Sequence, residues 1–210
     1  DHRQHDRQEH QHDRRPFERP AQQEDENEDQ DQDQHQRRRQ LEAEQAVGDP
    51  VGGAEARENG AEQAVRFMAD ANDKPVEKDV SHKTFNGHAI YRVGYRSTVS
   101  YFLRVPDGHW SGDGYYDTGF ESLKRLQSGE NSVLRAVDGS ATYHGWGDLT
   151  KTLRALMDYE RGRATKIQIN VAETDARINP HDHSDHVMTA RAALDAVKDL
   201  ACARRVFYVD

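Results

Sequence analysis

The sequence predicts an α/β or α+β domain, with a mixed sheet and about three helices packed on it, preceded by a disordered N-terminal tail. Three observations lead there. Apolar residues are scarce in the first third of the chain, where residues 1–67 hold two aromatics, Phe17 and Phe67. From about Val76 onward, short runs rich in Tyr, Val, Ile and Phe alternate with helical patterns. The last fifty residues read strand, helix, strand, which suits a right-handed crossover unit.

The tail follows from energetics. Asp, Glu, Arg, His and Gln dominate residues 1–67, and such a chain buries too little apolar surface to offset an ordering cost of roughly 1–2 kcal/mol per residue. Residues 1–75 are therefore expected as a low-complexity charged tail, and 76–210 as a single globular domain. The chain opens with Asp and its first methionine is Met68, so 1–67 reads as a tail, a processed segment or an upstream extension. Within it, Arg37-Arg38-Arg39 and the histidines His2, His5, His10 and His12 read as solvated polyampholyte. A short helix at 40–45 is broken by Gly48-Asp49-Pro50 and Gly52-Gly53, with a further helical stretch at 54–71.

In the domain, residues 88–96 and 98–105 read as strands, with Gly94 and the Arg96-Ser97 pair between them. Pro106-Asp107-Gly108 is a turn signal. Tyr115-Tyr116 reads as a short third strand. Phe120, Leu123 and Leu126 fall at helical spacing, stopped by Ser128-Gly129. Residues 132–143 alternate as one or two strands. Asp148 is placed to cap a helix carrying Leu149, Leu153, Leu156 and Met157, ending at Gly162. Residues 165–171 form a strand with Ile167, Ile169 and Val171 inward. Ser184 is placed to cap a helix with Val187, Ala190, Leu194, Val197 and Ala201 on one face, and 206–209 make the final strand.

The net charge of -9 disfavours nucleic acid as a partner, which usually meets a basic face. One cysteine, Cys202, excludes an internal disulfide and fits a reducing compartment. Placed on the last helix's apolar face, it reads as a buried thiol. No run approaches the roughly 18–20 apolar residues of a membrane span, and no secretory apolar region is present. The expectation is a soluble, cytoplasmic protein with no membrane partner.

Chemistry concentrates in His181-Asp182-His183-Ser184-Asp185-His186, five metal-competent side chains in six positions. In His181-x-His183, two imidazoles project to one side of an extended segment, while Asp185 and His186 reach a second ion from the mouth of the next helix. Two metals sharing a water would lower its pKa and present hydroxide to a polarised carbonyl or phosphoryl. Neutral imidazoles are required, so affinity should fall below about pH 6–6.5. The competing reading is a polar loop whose Asp and Ser cap the following helix.

The H-x-H-x-D-H spacing resembles the metallo-β-lactamase superfamily. Asp175-Ala176-Arg177-Ile178 stands where that family places the strand before its motif. Tyr101-Phe102-Leu103-Arg104 followed by Asp117-Thr118-Gly119 is similar to its early strand and Asp-x-Gly turn. The resemblance implies an αββα sandwich and zinc-dependent hydrolysis of esters, amides or phosphodiesters, with His181 and His183 on one zinc and Asp185 and His186 on the other. No histidine follows His186, so further ligands would come from a longer chain or a partner.

Tyr91, Arg92, Tyr95, Arg96, Tyr101 and Arg104 interleave aromatic and basic residues, a pattern that binds single-stranded nucleic acid or simply packs across strands. His144-Gly145-Trp146-Gly147 and Gly112-x-Gly114 read as turns. Three functions are expected in order: a non-catalytic binding or accessory protein, a zinc-dependent hydrolase, and a single-stranded nucleic-acid binder.

Overall fold

Two Asn-Gly-like reversals set the first sheet. In Asn86-Gly87 both residues take left-handed φ, 51° and 88°, the conformation whose twist matches a two-residue hairpin. Arg96, at φ 52°, opens the second reversal. The result is an antiparallel three-stranded sheet, β1 (Asp79–Phe85), β2 (His88–Tyr95) and β3 (Thr98–Phe102), in that spatial order. β1 was not expected: its side chains are mostly exposed until Phe85, as suits an edge strand.

The computed structural model describes residues 50–71 and 73–209. The expected disordered tail up to residue 49, the helix at 40–45, the Arg triplet and the early histidines lie outside the described residues. The architecture is α+β. Helix α1 (Pro50–Ala69) precedes the sheet. After β3 come a 3-10 turn (Tyr116–Thr118), α2 (Leu123–Ser128), β4 (Leu134–Arg135), β5 (Thr142–Tyr143) and α3 (Trp146–Arg161). The chain closes with β6 (Ile167–Ala172), α4 (Ser184–Ala196) and β7 (Ala203–Tyr208). The strands divide among three sheets, since β4 pairs antiparallel with β5 and β6 pairs parallel with β7. The described residues therefore form small separate sheets where the metallo-β-lactamase resemblance implies a sandwich.

The main core joins Phe85 and Ile90 of the first sheet to Leu123 and Leu126 of α2, Leu134, Tyr143, Leu149 of α3 and Met188 of α4. A second cluster packs Val171 and Ala172 of β6 on Ala190 and Ala193 of α4. Small residues on α4 let the helix lie close to the strands. Among the described residues, no helix is long and apolar enough to cross a membrane.

The helical stretch expected at 54–71 is α1, Pro50–Ala69, and it packs on the domain although composition places it in the tail. Pro50 opens α1, where its missing N–H costs nothing, and Gly52-Gly53 stay helical rather than breaking it. Ion pairs hold it where apolar residues would usually do so. Arg104 donates to both Glu58 carboxylate oxygens, at 2.7 and 2.8 Å. Lys78 meets Glu62, and Asp70 accepts from the Tyr95 hydroxyl and from Arg96 Nε at 2.5 and 2.7 Å.

Three further expectations shift. Tyr115-Tyr116 is not a strand, because left-handed backbone at Gly114, Gly119 and Phe120 curls this segment into the 3-10 turn. α3 starts at Trp146 behind Gly145, so Asp148 sits in the first turn, where its Oδ2 accepts the His144 N–H at 2.8 Å. Cys202 lies in the turn before β7, half-buried, rather than on a helix face.

Candidate metal centre

The His-rich segment is drawn against the loop that leaves β3. The Asp185 Oδ2 accepts the Gly108 N–H at 2.8 Å, and the Trp110 carbonyl accepts from the Ser184 N–H at 3.2 Å. Glycine is required at two of these contacts. A Cβ on Gly108 would strike the Asp185 carboxylate, and one on Gly112 (φ 83°) would strike the Ser184 hydroxyl and Lys124. Pro106-Asp107-Gly108 thus brings a backbone turn under the mouth of α4.

At that junction Asp107, His183 and Asp185 each offer a ligand atom, all within 4.8 Å of one another. The structure therefore joins two of the four expected ligands, His183 and Asp185, and adds Asp107. His181 is exposed, at φ 65°, and lies outside the group. His186 lies outside it too: its Nδ1 is 2.7 Å from Oδ1 of Asp182. The Asp182 carboxylate side chain is buried, accepting from the His183 N–H and from Asn179 Nδ2. Of the expected ligands His181, His183, Asp185 and His186, His183 and Asp185 fall in this three-residue group.

His183, rather than Ser184, caps α4: its Nδ1 accepts the Asp185 N–H at 3.1 Å. That bond requires Nδ1 to be unprotonated and places the ring proton on Nε2. The same ring meets Trp110 edge-on, centroids 5.6 Å apart. Asp107 Oδ1 accepts from the His109 N–H at 2.9 Å, and its Oδ2 faces the exposed Arg57 at 3.5 Å.

Asp185 is the electrostatically unusual member. Its Oδ1 is buried without a hydrogen-bond partner among the described residues. Burial pushes its carboxyl above the usual range; the Gly108 N–H opposes this, the Asp107 charge adds to it, and His183 and His186 pull it back. A buried carboxylate oxygen with an unused lone pair beside a second carboxylate is a group in want of a cation.

Asp107 escaped sequence reasoning because its turn residues explain themselves and its partners lie more than seventy positions away. The interleaved aromatic and basic stripe is engaged internally. Arg92 pairs with Asp79, Arg96 with Asp70 and Asp73, and Arg104 with Glu58 and Asp138. Tyr91 packs under Arg104, and the Tyr101 hydroxyl donates to Glu160. His144-Gly145-Trp146-Gly147 is a turn into α3, with Trp146 Nε1 donating to Asp195 at 2.7 Å. No protein-family model, curated protein or solved structure matches this chain.

Proposed function

We propose that this domain is a non-catalytic binding module that holds one zinc ion on Asp107, His183 and Asp185. The observation that supports this is the convergence of their ligand atoms within 4.8 Å from two distant segments. The donor set also fits: one imidazole nitrogen and two carboxylate oxygens lie within zinc's preferences, leaving a position for an outside ligand. A cation would also give a counter-charge to the Asp185 carboxylate, whose Oδ1 lacks a hydrogen-bond partner among the described residues.

Two effects moderate the affinity. Ligation through His183 Nδ1 would compete with the Asp185 N–H for that lone pair, forfeiting a cap worth about 1 kcal/mol. The positive end of α4 repels the cation, by roughly 0.3–1 kcal/mol at an exposed site. The Arg57–Asp107 pair is a weak competitor, because Arg57 is mostly in solvent. The single free cysteine fits a reducing compartment, and the cytoplasm is the proposed location.

The test is zinc content of the purified full chain by elemental analysis after gel filtration, compared across single variants. The difference between variants is the readout, because any metal taken up by the early histidines is common to all of them. Asp107→Asn and Asp185→Asn should each lose one equivalent that His181→Ala keeps. Loss in His181→Ala with retention in Asp107→Asn would overturn this assignment and return the ligands to the H-x-H-x-D-H motif alone.

A further inference from the structure

Most arginines of the described residues face a carboxylate, but one end of the molecule departs from this. Because β6 and β7 run parallel, their N-terminal ends lie together, joined by the Ile167 N–H to the Cys202 carbonyl at 3.2 Å. The ends of α3 and α4 lead into the same place, since Arg161 and Ala196 close the helices that precede these strands. Arg163, Lys166, Lys198 and Arg204 are all exposed there and make no ion pair among the described residues. Arg205 joins them, with its Nη2 donating to the Val197 carbonyl at 3.0 Å. Asp199 is the unpaired acid nearby, whereas Asp158 is held by Arg154 and Arg161.

Cations at helix C-termini are often there for the helix dipole. That accounts for Lys198 and Arg205. It does not account for Arg204, which lies in β7, or for Lys166, which directly precedes β6.

The register adds a second feature. Gln168 stands opposite Arg204, Asn170 opposite Val206, and Ala172 opposite Tyr208. Opposed residues share a face, and Ile169 and Val171 occupy the other one, against α4. The Gln168 amide donates to Asn170 Oδ1 at 2.9 Å on the open side. On that face Gln168, Asn170, Arg204 and Tyr208 are exposed, whereas Ala172 is buried with the α4 cluster. Arg204 and Tyr208 stand four residues or roughly 13 Å apart, with Tyr208 55% exposed.

We infer that this open face of β6 and β7 binds single-stranded nucleic acid, with phosphates on Lys166, Arg204 and the neighbouring Arg163 and Lys198, and a base stacked on Tyr208. Charge complementarity selects a polyanion, and the aromatic ring beside amide side chains selects one with bases rather than an acidic peptide or a lipid headgroup. The net charge of -9 makes the long-range field repulsive, so attraction is confined to this end and falls steeply with salt. This site is separate from the zinc ligands, and its test is independent of them.

The experiment is fluorescence anisotropy of a labelled oligothymidylate with the full chain, over a range of salt. Salt-sensitive binding is expected, reduced at least tenfold by the double variant Lys166→Glu/Arg204→Glu. Tyr208→Ala should cost about tenfold toward the oligonucleotide and leave heparin binding unchanged. Arg163→Glu/Lys198→Glu, outside the strands, repeats the charge test should the first pair disturb folding. Binding that ignores both double variants would place it elsewhere in the chain and overturn the inference, as would no salt-sensitive binding at all. Oligonucleotide binding that Tyr208→Ala leaves unchanged would reduce the face to a bare cationic patch and overturn it too.

Discussion

The Asp185 carboxylate accepts the Gly108 amide proton at 2.8 Å, although the two residues stand 77 positions apart. This bond couples the β3 exit loop to the mouth of α4, and it sets the distance from Asp107 to His183. Gly108 permits it because a side chain there would occupy the carboxylate's place. Gly108→Ala should therefore displace Asp185, weakening zinc at least tenfold and costing about 1–3 kcal/mol of stability. Calorimetric titration and urea unfolding would measure the two effects. Unchanged values for both would mean that the loop and helix do not meet as described.

His183 caps α4 through Nδ1 and is a ligand in the proposed zinc site, and two substitutions separate these roles. Asparagine is a good helix cap, whereas alanine is a poor one. His183→Ala should cost about 1 kcal/mol, while His183→Asn should stay within a few tenths of the parent. Both should lose zinc. Full zinc binding in His183→Asn would remove the imidazole from the ligand set.

Much of the domain was legible because burial leaves periodic traces. Ile167, Ile169 and Val171 alternate as β6 does, and Ser128-Gly129 stops α2 where expected, with Gly129 at φ 84°. The failures share a cause as well. β1 hides because an edge strand keeps few apolar residues, although Asn86-Gly87 was a usable hairpin signal. The helical stretch at 54–71 was readable, but its packing on the domain was not, because Glu58 and Glu62 attach α1, and Asp70 just after it, by charge, a mode that looks like tail composition. In the site, His183 and Asp185 were readable from spacing, but Asp107 enters by tertiary folding alone. His186 carried the right spacing and faces Asp182 instead, the residue just ahead of the α4 cap.

The attachment of α1 depends most on Glu58, which holds the Arg104 guanidinium through two oxygens. These hydrogen bonds and the nearby charges push Arg104 further above its already high range, against the opposing effect of burial. Glu58→Ala leaves Arg104 with Asp138 at 2.6 Å, so the guanidinium is not stranded. The cost should be about 1–2 kcal/mol, below the roughly 3–5 kcal/mol of a fully buried pair left half-broken. Its signature would be faster amide exchange confined to residues 50–69. Uniform acceleration across the domain would show that α1 and the first sheet open as one unit.

Two aspartates should respond to pH with opposite sign. Asp148 lies below its ordinary value: burial raises it, but bonds from His144 N–H, His88 and Asn86 outweigh that. A carboxyl depressed in the folded state contributes stability above its unfolded value of about 3.8, lost as pH falls through the lower folded value. Asp185 is raised, so its folded form takes up a proton first as pH falls. Its stabilising contribution grows through the raised value and is complete below about 3.8, where both states are protonated. Asp148→Asn should then cost about 1–3 kcal/mol at pH 7, with the penalty shrinking in acid below 3.8. Asp185→Asn should raise the urea midpoint of metal-free protein at pH 7, because amide replaces a buried charge, and this advantage should fade towards pH 4. Zinc reverses the ranking, since only ionised Asp185 ligates it and acid must release the ion. A lower midpoint for metal-free Asp185→Asn at pH 7 would show that the carboxylate is stabilising without a cation, and that its buried Oδ1 already has a partner.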